Sequence, residues 1–205
     1  MRINIAATKT NLLNVKKSLV LTTEGHELLD EKRKILLNEL TSVLHVVNKL
    51  QNDLDEALIG AYEIADKAIV TTGRKKVEEL SFSININNEI SISNRRIMGV
   101  TMPVINLAIT EHPPYYSPYE VSFYVDEVIK RFKGILELIT QLAEKKITLL
   151  RLAKELQKTM RKVNALEKIY IPYYRDAFKS ISDRLDEASR ESFSMLKLIK
   201  EKIKK

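Results

Sequence analysis

Residues 11–68 read NLLNVKKSLVLTTEGHELLDEKRKILLNELTSVLHVVNKLQNDLDEALIGAYEIADKA, and this stretch decides the fold. It contains no proline, and one stripe recurs along it at alternating steps of three and four residues. Its seventeen positions are Leu12, Val15, Leu19, Thr22, His26, Leu29, Arg33, Leu36, Leu40, Val43, Val47, Leu50, Leu54, Ala57, Ala61, Ile64 and Ala68. All but Thr22, His26 and Arg33, fourteen in number, are apolar or alanine. A mean period of about 3.5 residues over this length is typical of a supercoiled helix that buries a narrow seam. The sequence therefore predicts one helix over residues 9–76, with Thr8 or Thr10 as its N-cap.

A second long helix is predicted over residues 118–204. Its seam positions are Val121, Val125, Val128, Phe132, Ile135, Ile139, Leu142, Lys146, Leu149, Ala153, Leu156, Met160, Val163, Glu167, Tyr170, Tyr174, Ala177 and Ile181. Pro172 has no backbone donor and should kink this helix about one turn earlier. Past Ile181 the phase changes, which indicates a stutter. The apolar positions that follow are Leu185, Ala188, Met195 and Ile199.

Between the two helices the apolar residues alternate with polar ones, which indicates a β-hairpin. These apolar residues are Leu80, Phe82, Ile84, Ile86, Ile90 and Ile92. A three-residue bend at Asn87-Asn88-Glu89 places both apolar sets on one face, whereas a two-residue bend separates them, so we predict the longer bend. Residues 94–118 contain four of the five prolines and are predicted to be an irregular connector.

Together these elements predict a mainly α fold. Its main part is a long antiparallel two-helix hairpin, wound as a left-handed coiled coil. The short β-hairpin and the connector, residues 79–117, cap one end, and both termini lie at the other. We expect residues 1–205 to form a single elongated domain.

The composition excludes several classes of site. There is no cysteine, so disulfides and thiolate metal sites are excluded. No two of the five glycines lie within ten residues of each other, which excludes a phosphate-binding loop. The formal net charge of +7 permits contact with acidic surfaces but does not require it. No apolar segment has the length of a signal peptide or a membrane span, so we expect neither.

Two pairs of side chains have the spacing of metal or catalytic sites. His26 and Asp30 share a helical face, as in a metalloprotease helix, but the second histidine of that motif is missing. Asp53 and Asp55 form a carboxylate pair with no cleft that would separate their pKa values. We interpret His26 as a residue in or beside the seam and the carboxylates as solvated. We therefore predict no catalytic residue, no metal and no cofactor.

The polar seam residues and an aromatic cluster each allow two interpretations. Arg33, Lys146 and Glu167 can reach solvent past the seam edge or set its register. Alternatively, the helices are less tightly paired at these levels, or another subunit lies there. The aromatic side chains pack at the capped end or form a docking patch. They are Tyr115, Tyr116, Tyr119, Phe123 and Tyr124.

Two basic features lie on the second helix. A basic stripe consists of Arg151, Lys154, Lys158 and Arg161. The carboxyl end adds Lys197, Lys200, Lys202, Lys204 and Lys205. Nucleic acid could bind such a stripe through its phosphates, but no aromatic residues are interleaved with it to stack on bases. We therefore favour a solvated face or a contact with an acidic protein surface.

Three segments of the chain together resemble the D subunit of the V-type and archaeal-type (A-type) rotary ATPases. The amino-terminal signature is carried by Thr8, Leu12, Leu13, Gly25, His26, Leu28, Leu29, Lys32 and Arg33. The central segment is similar in Ile97-Met98-Gly99-Val100 and Pro103. The carboxy-terminal signature is carried by Arg161, Val163-Asn164-Ala165-Leu166-Glu167, Ile171-Pro172, Leu185-Asp186-Glu187 and Leu196-Lys197. The chain departs from the family pattern at Ala7, Lys34 and Tyr173-Tyr174-Arg175.

The resemblance implies a rotor shaft, the non-catalytic central-stalk subunit that transmits torque between the catalytic A/B hexamer and the membrane rotor ring. Such a shaft couples ATP hydrolysis or synthesis to H⁺ or Na⁺ transport. The implied partners are the small F subunit of the stalk, the catalytic A and B subunits and the funnel-shaped connecting subunit, with no nucleic acid and no insertion into the membrane. The implied location is cytoplasmic, peripheral to the membrane as part of the complex.

The resemblance also leads us to predict two contact surfaces. The shaft tip inside the hexamer is expected to use Leu12, Lys16, Leu19, Phe193, Leu196, Lys197 and Lys200. The hairpin is expected to touch the catalytic collar or the F subunit through Phe82, Ile84, Ile86, Ile90 and Ile92. The alternative function is a stand-alone antiparallel coiled-coil scaffold or tether without rotary partners, and nucleic-acid binding ranks last.

Overall fold

A computed structural model describes residues 5–84, 86–110 and 114–203. In chain order these form α1 (Lys9–Thr72), α2 (Arg74–Ser83), β1 (Asn87–Ile97), β2 (Val100–Thr110), α3 (Phe123–Ala165), a π-helical turn (Leu166–Tyr170) and α4 (Ile171–Ile203). Strands β1 and β2 pair as a two-stranded antiparallel sheet. The predicted mainly α fold, with a long helical hairpin and a small sheet, is confirmed.

The chain divides into two compact units. The first contains residues 1–35 and 156–205, and the second contains residues 36–155. Helices α1 and α3 each contribute residues to both units.

In the unit of residues 36–155, α1 and α3 run antiparallel. Early in that part of α1, Gln51 Oε1 accepts a hydrogen bond of 2.8 Å from Lys146 Nζ, late in α3. At the end of α1, Thr72 Oγ1 accepts a hydrogen bond from the backbone N–H of Ser122, just before α3. The core between the helices consists of Val47, Leu54, Ala61, Ile135 and Leu142.

In the other unit, the start of α1 packs against α4. Val15, Ala177 and Ile181 are buried there, and the partly buried residues around them are Ile5, Leu12, Tyr174, Phe178 and Leu185. The backbone N–H of Asn11 donates to Thr8 Oγ1 at 3.2 Å, which confirms Thr8 as one of the two predicted N-cap residues.

The predicted seam of α1 is confirmed along its whole length. All seventeen stripe positions are buried or partly buried. The fully buried ones are Val15, Leu36, Val47, Leu54, Ala61 and Ala68. A continuous heptad of apolar residues was therefore sufficient to identify the buried face of this helix.

The predicted seam of α3 is partly wrong. Ile135, Leu142 and Val163 are buried as expected. The exposed members of the predicted set are Phe132, Ile139, Lys146, Ala153 and Met160. The other flank faces the core instead, through Leu138, Thr148, Leu152 and Thr159. Apolar residues lie on both sides of Ile135, Leu142 and Val163, the positions that the predicted and observed seams share. The pattern of three- and four-residue steps alone therefore could not show which of the two sides is buried.

The predicted hairpin register is wrong. The chain turns at Met98-Gly99, and the paired strands run from Asn87 opposite Thr110 to Ile97 opposite Val100. Both turn residues have positive φ, 50° at Met98 and 81° at Gly99, as a tight two-residue turn that matches strand twist requires. Pro103, one of the prolines that indicate an irregular connector, lies within β2, where an edge strand tolerates proline.

The first helix begins at Lys9 as predicted, but its last residue and the first residue of the second helix differ from the prediction. Helix α1 ends at Thr72, and Gly73, with φ of 91°, separates it from α2. Helix α2 contains Leu80 to Ser83, which the alternation assigns to a strand. Helix α3 begins at Phe123, five residues later than expected, after Glu120 in a left-handed conformation.

The second long helix leaves α geometry one turn before Pro172, where Leu166–Tyr170 form the π-helical turn. Beyond Leu185, residues 186–203 are all exposed. Leu185 packs against the core, as the predicted slip after Ile181 requires, and the stutter beyond Leu185 stays a prediction because the later positions are exposed.

Candidate partner-binding surfaces

One carboxylate of each pair with the spacing of a metal or catalytic site, Asp30 and Asp55, takes part in local contacts. Asp30 forms ion pairs with Arg33 at 2.5 Å and with Lys34 at 3.0 Å, and the hydrogen bond from Lys34 lowers the pKa of Asp30. Asp55 accepts a hydrogen bond from Gln51, its neighbour one turn earlier. Within the described ranges, no three His, Cys, Asp or Glu side chains are grouped closely enough to hold a metal ion.

The structure separates the two parts of the predicted tip surface. Leu12 packs against the core formed by Val15 and Ile181, and Leu19 is partly buried. Lys16 is exposed on α1. The α4 residues of the set lie past the end of the core, and Phe193 exposes 74% of its surface. All four α4 residues of the set are exposed: Phe193, Leu196, Lys197 and Lys200.

Residues 186–203, the bare end of α4, carry large apolar side chains and are exposed. Its large uncovered side chains are Phe193, Met195, Leu196, Leu198, Ile199 and Ile203. Within residues 5–84, 86–110 and 114–203, no part of the chain covers this segment. A contiguous exposed apolar surface on a helix marks a site for a partner.

A second apolar stripe lies on the exposed side of α1, and sequence reasoning missed it. Leu21, Leu28 and Ile35 are spaced by seven residues, and Leu28 exposes 68% of its surface. Leu13 and Val20 are also exposed and lie seven residues apart, in a neighbouring series one position before that of Leu21. The sequence contains the signal for this stripe, because its positions lie one and two residues beyond predicted seam positions. The search for one buried seam did not include a second apolar series on the exposed side.

The predicted hairpin surface is divided in the same way. Ile90 and Ile92 are exposed on β1, as is Phe82 on α2. Ile84 and Ile86 instead line a mainly apolar cavity of about 280 Å³ together with Phe132 and other side chains of α3. Only the first three are therefore available on the surface for a partner.

The outer edge of β2 is tied to α3 by two side chains one heptad apart. Glu144 Oε2 accepts a hydrogen bond of 2.9 Å from the backbone N–H of Ile105, and Arg151 Nη1 donates one of 2.8 Å to the carbonyl of Thr101. Partial burial raises the pKa of Glu144, but hydrogen bonds from Lys145 and Ile105 outweigh it, so the pKa lies below its ordinary 4.5. These contacts fix the hairpin on the helix and satisfy the strand edge.

The basic stripe is partly used inside the chain. Arg151 holds Thr101, and Lys158 also takes part in an interaction within the chain. Lys154 and Arg161 are exposed. All four side chains of the stripe are nevertheless exposed, so the expected absence of nucleic-acid binding stays a prediction.

The remaining polar and aromatic residues have local roles. Arg33 pairs with Asp30, Lys146 donates to Gln51, and Glu167 is exposed in the π-helical turn. Near the start of α3, Tyr116 donates to Asp126, and burial together with this carboxylate raises the pKa of the phenol. Lys133 lies 5.5 Å from the Tyr115 ring centroid. The exposed aromatic residues of the cluster are Tyr119, Phe123 and Tyr124.

Glu144→Ala should release β2 from α3. We expect the protection of the Ile105 amide against hydrogen exchange to fall roughly 10- to 100-fold, because a hydrogen bond to a charged group contributes about 1.5–3 kcal/mol. Since the pKa of Glu144 is depressed, the parent should keep this protection above pH 4.5 and lose it as the pH falls through the lower folded-state value. Glu137→Ala, an exposed change one heptad earlier, is the control. Equal protection of the Ile105 amide in both variants would show that Glu144 does not hold β2 on α3.

Similar proteins were found over nearly the full chain. A family model described as the D subunit of ATP synthase matches residues 11–201. The D subunit of the A-type ATP synthase of Thermococcus sibiricus is 37% identical over 201 residues, covering 97% of this chain and 94% of the relative. That of Thermococcus kodakarensis is 35% identical with the same coverage. The D subunit of the V-type ATP synthase of Thermotoga neapolitana is 34% identical over 200 residues, covering 98% of each chain. None of the helices in the described ranges combines the length and apolarity that a membrane span requires.

Proposed function

Because this chain belongs to the family of ATP synthase D subunits, we propose that it is the rotor shaft of an A/V-type rotary ATPase. In this role it performs no chemistry. It turns inside the catalytic A/B hexamer and presents different faces to successive A–B interfaces, which opens and closes their nucleotide sites. The other end engages the funnel-shaped connecting subunit of the membrane rotor, the F subunit binds alongside, and rotation is coupled to H⁺ or Na⁺ transport.

The observation that carries the proposal is the bare end of α4. Residues 186–203 have no cover within the described chain, yet they present six large apolar side chains. Covering each such side chain is worth roughly 1.5–3 kcal/mol. We propose that the inner surface of the hexamer supplies this cover, with Phe193 and Leu196 as apolar contacts and Lys197 and Lys200 as charged ones.

We propose that the α1 stripe is part of the same bearing surface. Leu21, Leu28 and Ile35 are exposed on the helix whose opposite face is buried in the seam. An apolar bearing suits rotation, because dispersion contacts are non-directional and do not hold one angular position as strongly as ion pairs do. Lys16 and Leu19, on the same part of α1, complete the proposed tip contact.

The seam supplies the mechanical property that a shaft needs. To slip past one another, the paired helices would have to unpack buried residues such as Leu36, Leu54 and Ile135. Each of these contributes about 1.5–3 kcal/mol on burial, so twisting is resisted along the whole pair.

The exposed hairpin residues are proposed to touch the catalytic collar or the F subunit. Ile90→Ser with Ile92→Ser should leave the melting temperature within about 2 °C, since exposed substitutions cost little. We expect the ATPase rate of the assembled complex to fall severalfold, because the collar or the F subunit loses two apolar contacts.

Two further variants make this test specific. Ser91→Ala, between the two isoleucines, is the matched control and should change neither quantity. Ile84→Ser with Ile86→Ser should lower the melting temperature, because these side chains line the cavity against α3. An unchanged ATPase rate in the Ile90/Ile92 variant would remove the proposed hairpin contact.

Reconstitution tests the proposed function directly. The full chain, mixed with separately purified A and B subunits of the same complex, should co-elute with a nucleotide-hydrolysing hexamer at one copy per hexamer. A chain that remains apart from the hexamer contradicts the rotor-shaft assignment, and that result is the one expected of a stand-alone scaffold or tether.

A further inference from the structure

The π-helical turn Leu166–Tyr170 separates two stretches of helix whose buried positions differ in phase. Thr159 is buried before the turn. Counting in sevens from it reaches Leu166, Tyr173 and Ser180. The residues in the core around Val15 are instead Tyr174 and Ile181, one position later in each case.

A second series of positions has the same offset. Val163 is buried, and counting in sevens from it reaches Tyr170, Ala177 and Arg184. The larger side chains that pack into the core are Phe178 and Leu185, again one position later. Ala177 is buried too, because it lies between Tyr174 and Ile181 on the same helical face. Four core residues, Tyr174, Phe178, Ile181 and Leu185, therefore lie one position later than the two series predict, whereas Ala177 continues the series from Val163.

The geometry of the turn accounts for this offset. The backbone N–H of Ile171 bonds to the carbonyl of Leu166, five residues earlier, where an α-helix would use the carbonyl four residues earlier. Such a turn holds one extra residue, so the helix that follows is set back by one position. The π turn adds one residue to the helix, and the buried positions before and after the turn are offset by one residue.

Pro172 accounts for where the turn lies. Proline has no N–H, and in a regular α-helix its ring collides with the carbonyl four residues earlier, here that of Lys168. Lys168 lies in the middle of the wider π turn, so the clash with proline would occur in the same part of the helix that contains the extra residue.

We propose that Leu166–Tyr170 is a one-residue phase corrector pinned by Pro172. It keeps the apolar positions of α4 directed at the start of α1 after the heptad spacing of the preceding helix has been lost. It also fixes the rotational setting of the exposed end of α4, because every residue after the turn is rotated with Tyr174 and Ile181.

A four-variant cycle tests the phase corrector through thermal unfolding of the full chain. Deleting Glu167 alone should make the helix regular but leave Pro172 in an α-helical interior, so the melting temperature should fall by about 6–12 °C. Pro172→Ala alone should keep the wide turn and stay within about 3 °C of the parent. Deleting Glu167 in the Pro172→Ala background should also stay within about 3 °C, because one residue fewer now restores a continuous heptad.

Deleting Glu24 is the matched control for removing one exposed residue from a helix in the same unit. No wide turn lies in α1 to absorb the change, so Val15 should rotate out of the core and the melting temperature should fall by about 10 °C or more. If the double variant is as unstable as this control, the turn does not correct the phase. If deleting Glu167 alone leaves the melting temperature unchanged, Pro172 does not pin it.

Discussion

Deleting residues 196–205 should leave the chain folded and uncouple ATP turnover from ion pumping. Residues 186–203 are exposed, so the deletion removes no core contact of the described chain and the melting temperature should change by no more than about 2 °C. The hexamer would lose the proposed apolar contacts with Leu196 and Ile199, each worth roughly 1.5–3 kcal/mol, so pumping per ATP hydrolysed should fall at least about tenfold. ATP hydrolysis and ion transport by reconstituted complexes in vesicles measure both quantities.

Glu187→Ala with Glu191→Ala is the control for this deletion, because it alters exposed polar residues of the same helix and leaves the apolar contacts in place. It should keep the ratio of ions pumped to ATP hydrolysed. An unchanged ratio after the deletion would exclude the end of α4 as the tip.

Leu21→Glu with Leu28→Glu should prevent stable assembly with the hexamer. Both leucines are exposed in the free chain, so the variant should fold with a melting temperature within about 3 °C of the parent. In the assembly, two leucine contacts of at least about 1.5 kcal/mol each are lost and two charges are buried, so the dissociation constant should rise at least about 100-fold. Equilibrium binding to the purified hexamer measures it.

Asn48→Glu with Asn52→Glu adds the same charge to exposed polar positions of the same helix. This control variant should bind the hexamer as the parent does. Equal binding by the leucine variant would show that the stripe is no bearing surface and would restrict the tip to α4.

The buried face of α1 could be predicted from the sequence because one heptad phase runs from Leu12 to Ala68 without interruption. The buried face of the second helix was harder to predict, for two physical reasons. Apolar residues such as Ile139 and Met160 flank the seam on the side that remains exposed. The π-helical turn also adds a residue that a fixed repeat cannot anticipate.

The hairpin was misplaced because its turn has an uncommon sequence. Positive φ at Met98 costs a non-glycine residue energy, so turn chemistry favoured the asparagines at 87 and 88. Pro103 reinforced the error, since proline is normally a strand breaker and only an edge strand accommodates it. The contacts of Glu144 and Arg151 with β2, which hold the strands on α3, join residues about 40 to 50 positions apart and leave no local pattern.

The candidate surfaces were predictable in part. The amphipathic end of α4 could be recognised from Phe193 and Leu196 together with the lysines around them. Leu12 is predicted both as a seam residue and as a tip contact, and the structure bears out the seam position, since Leu12 packs against the core. The exposed stripe on α1 could also be inferred from the sequence, because Leu21, Leu28 and Ile35 each lie two residues beyond a predicted seam position.

The most direct test of the rotor-shaft proposal is observation of a single complex during ATP hydrolysis. The chain has no cysteine, so Glu79→Cys on the exposed side of α2 provides one site for a probe while the hexamer is fixed to a surface. We expect the probe to rotate continuously in one direction when ATP is added. A probe that keeps its angle relative to the hexamer while ATP is hydrolysed at the normal rate would contradict the proposal.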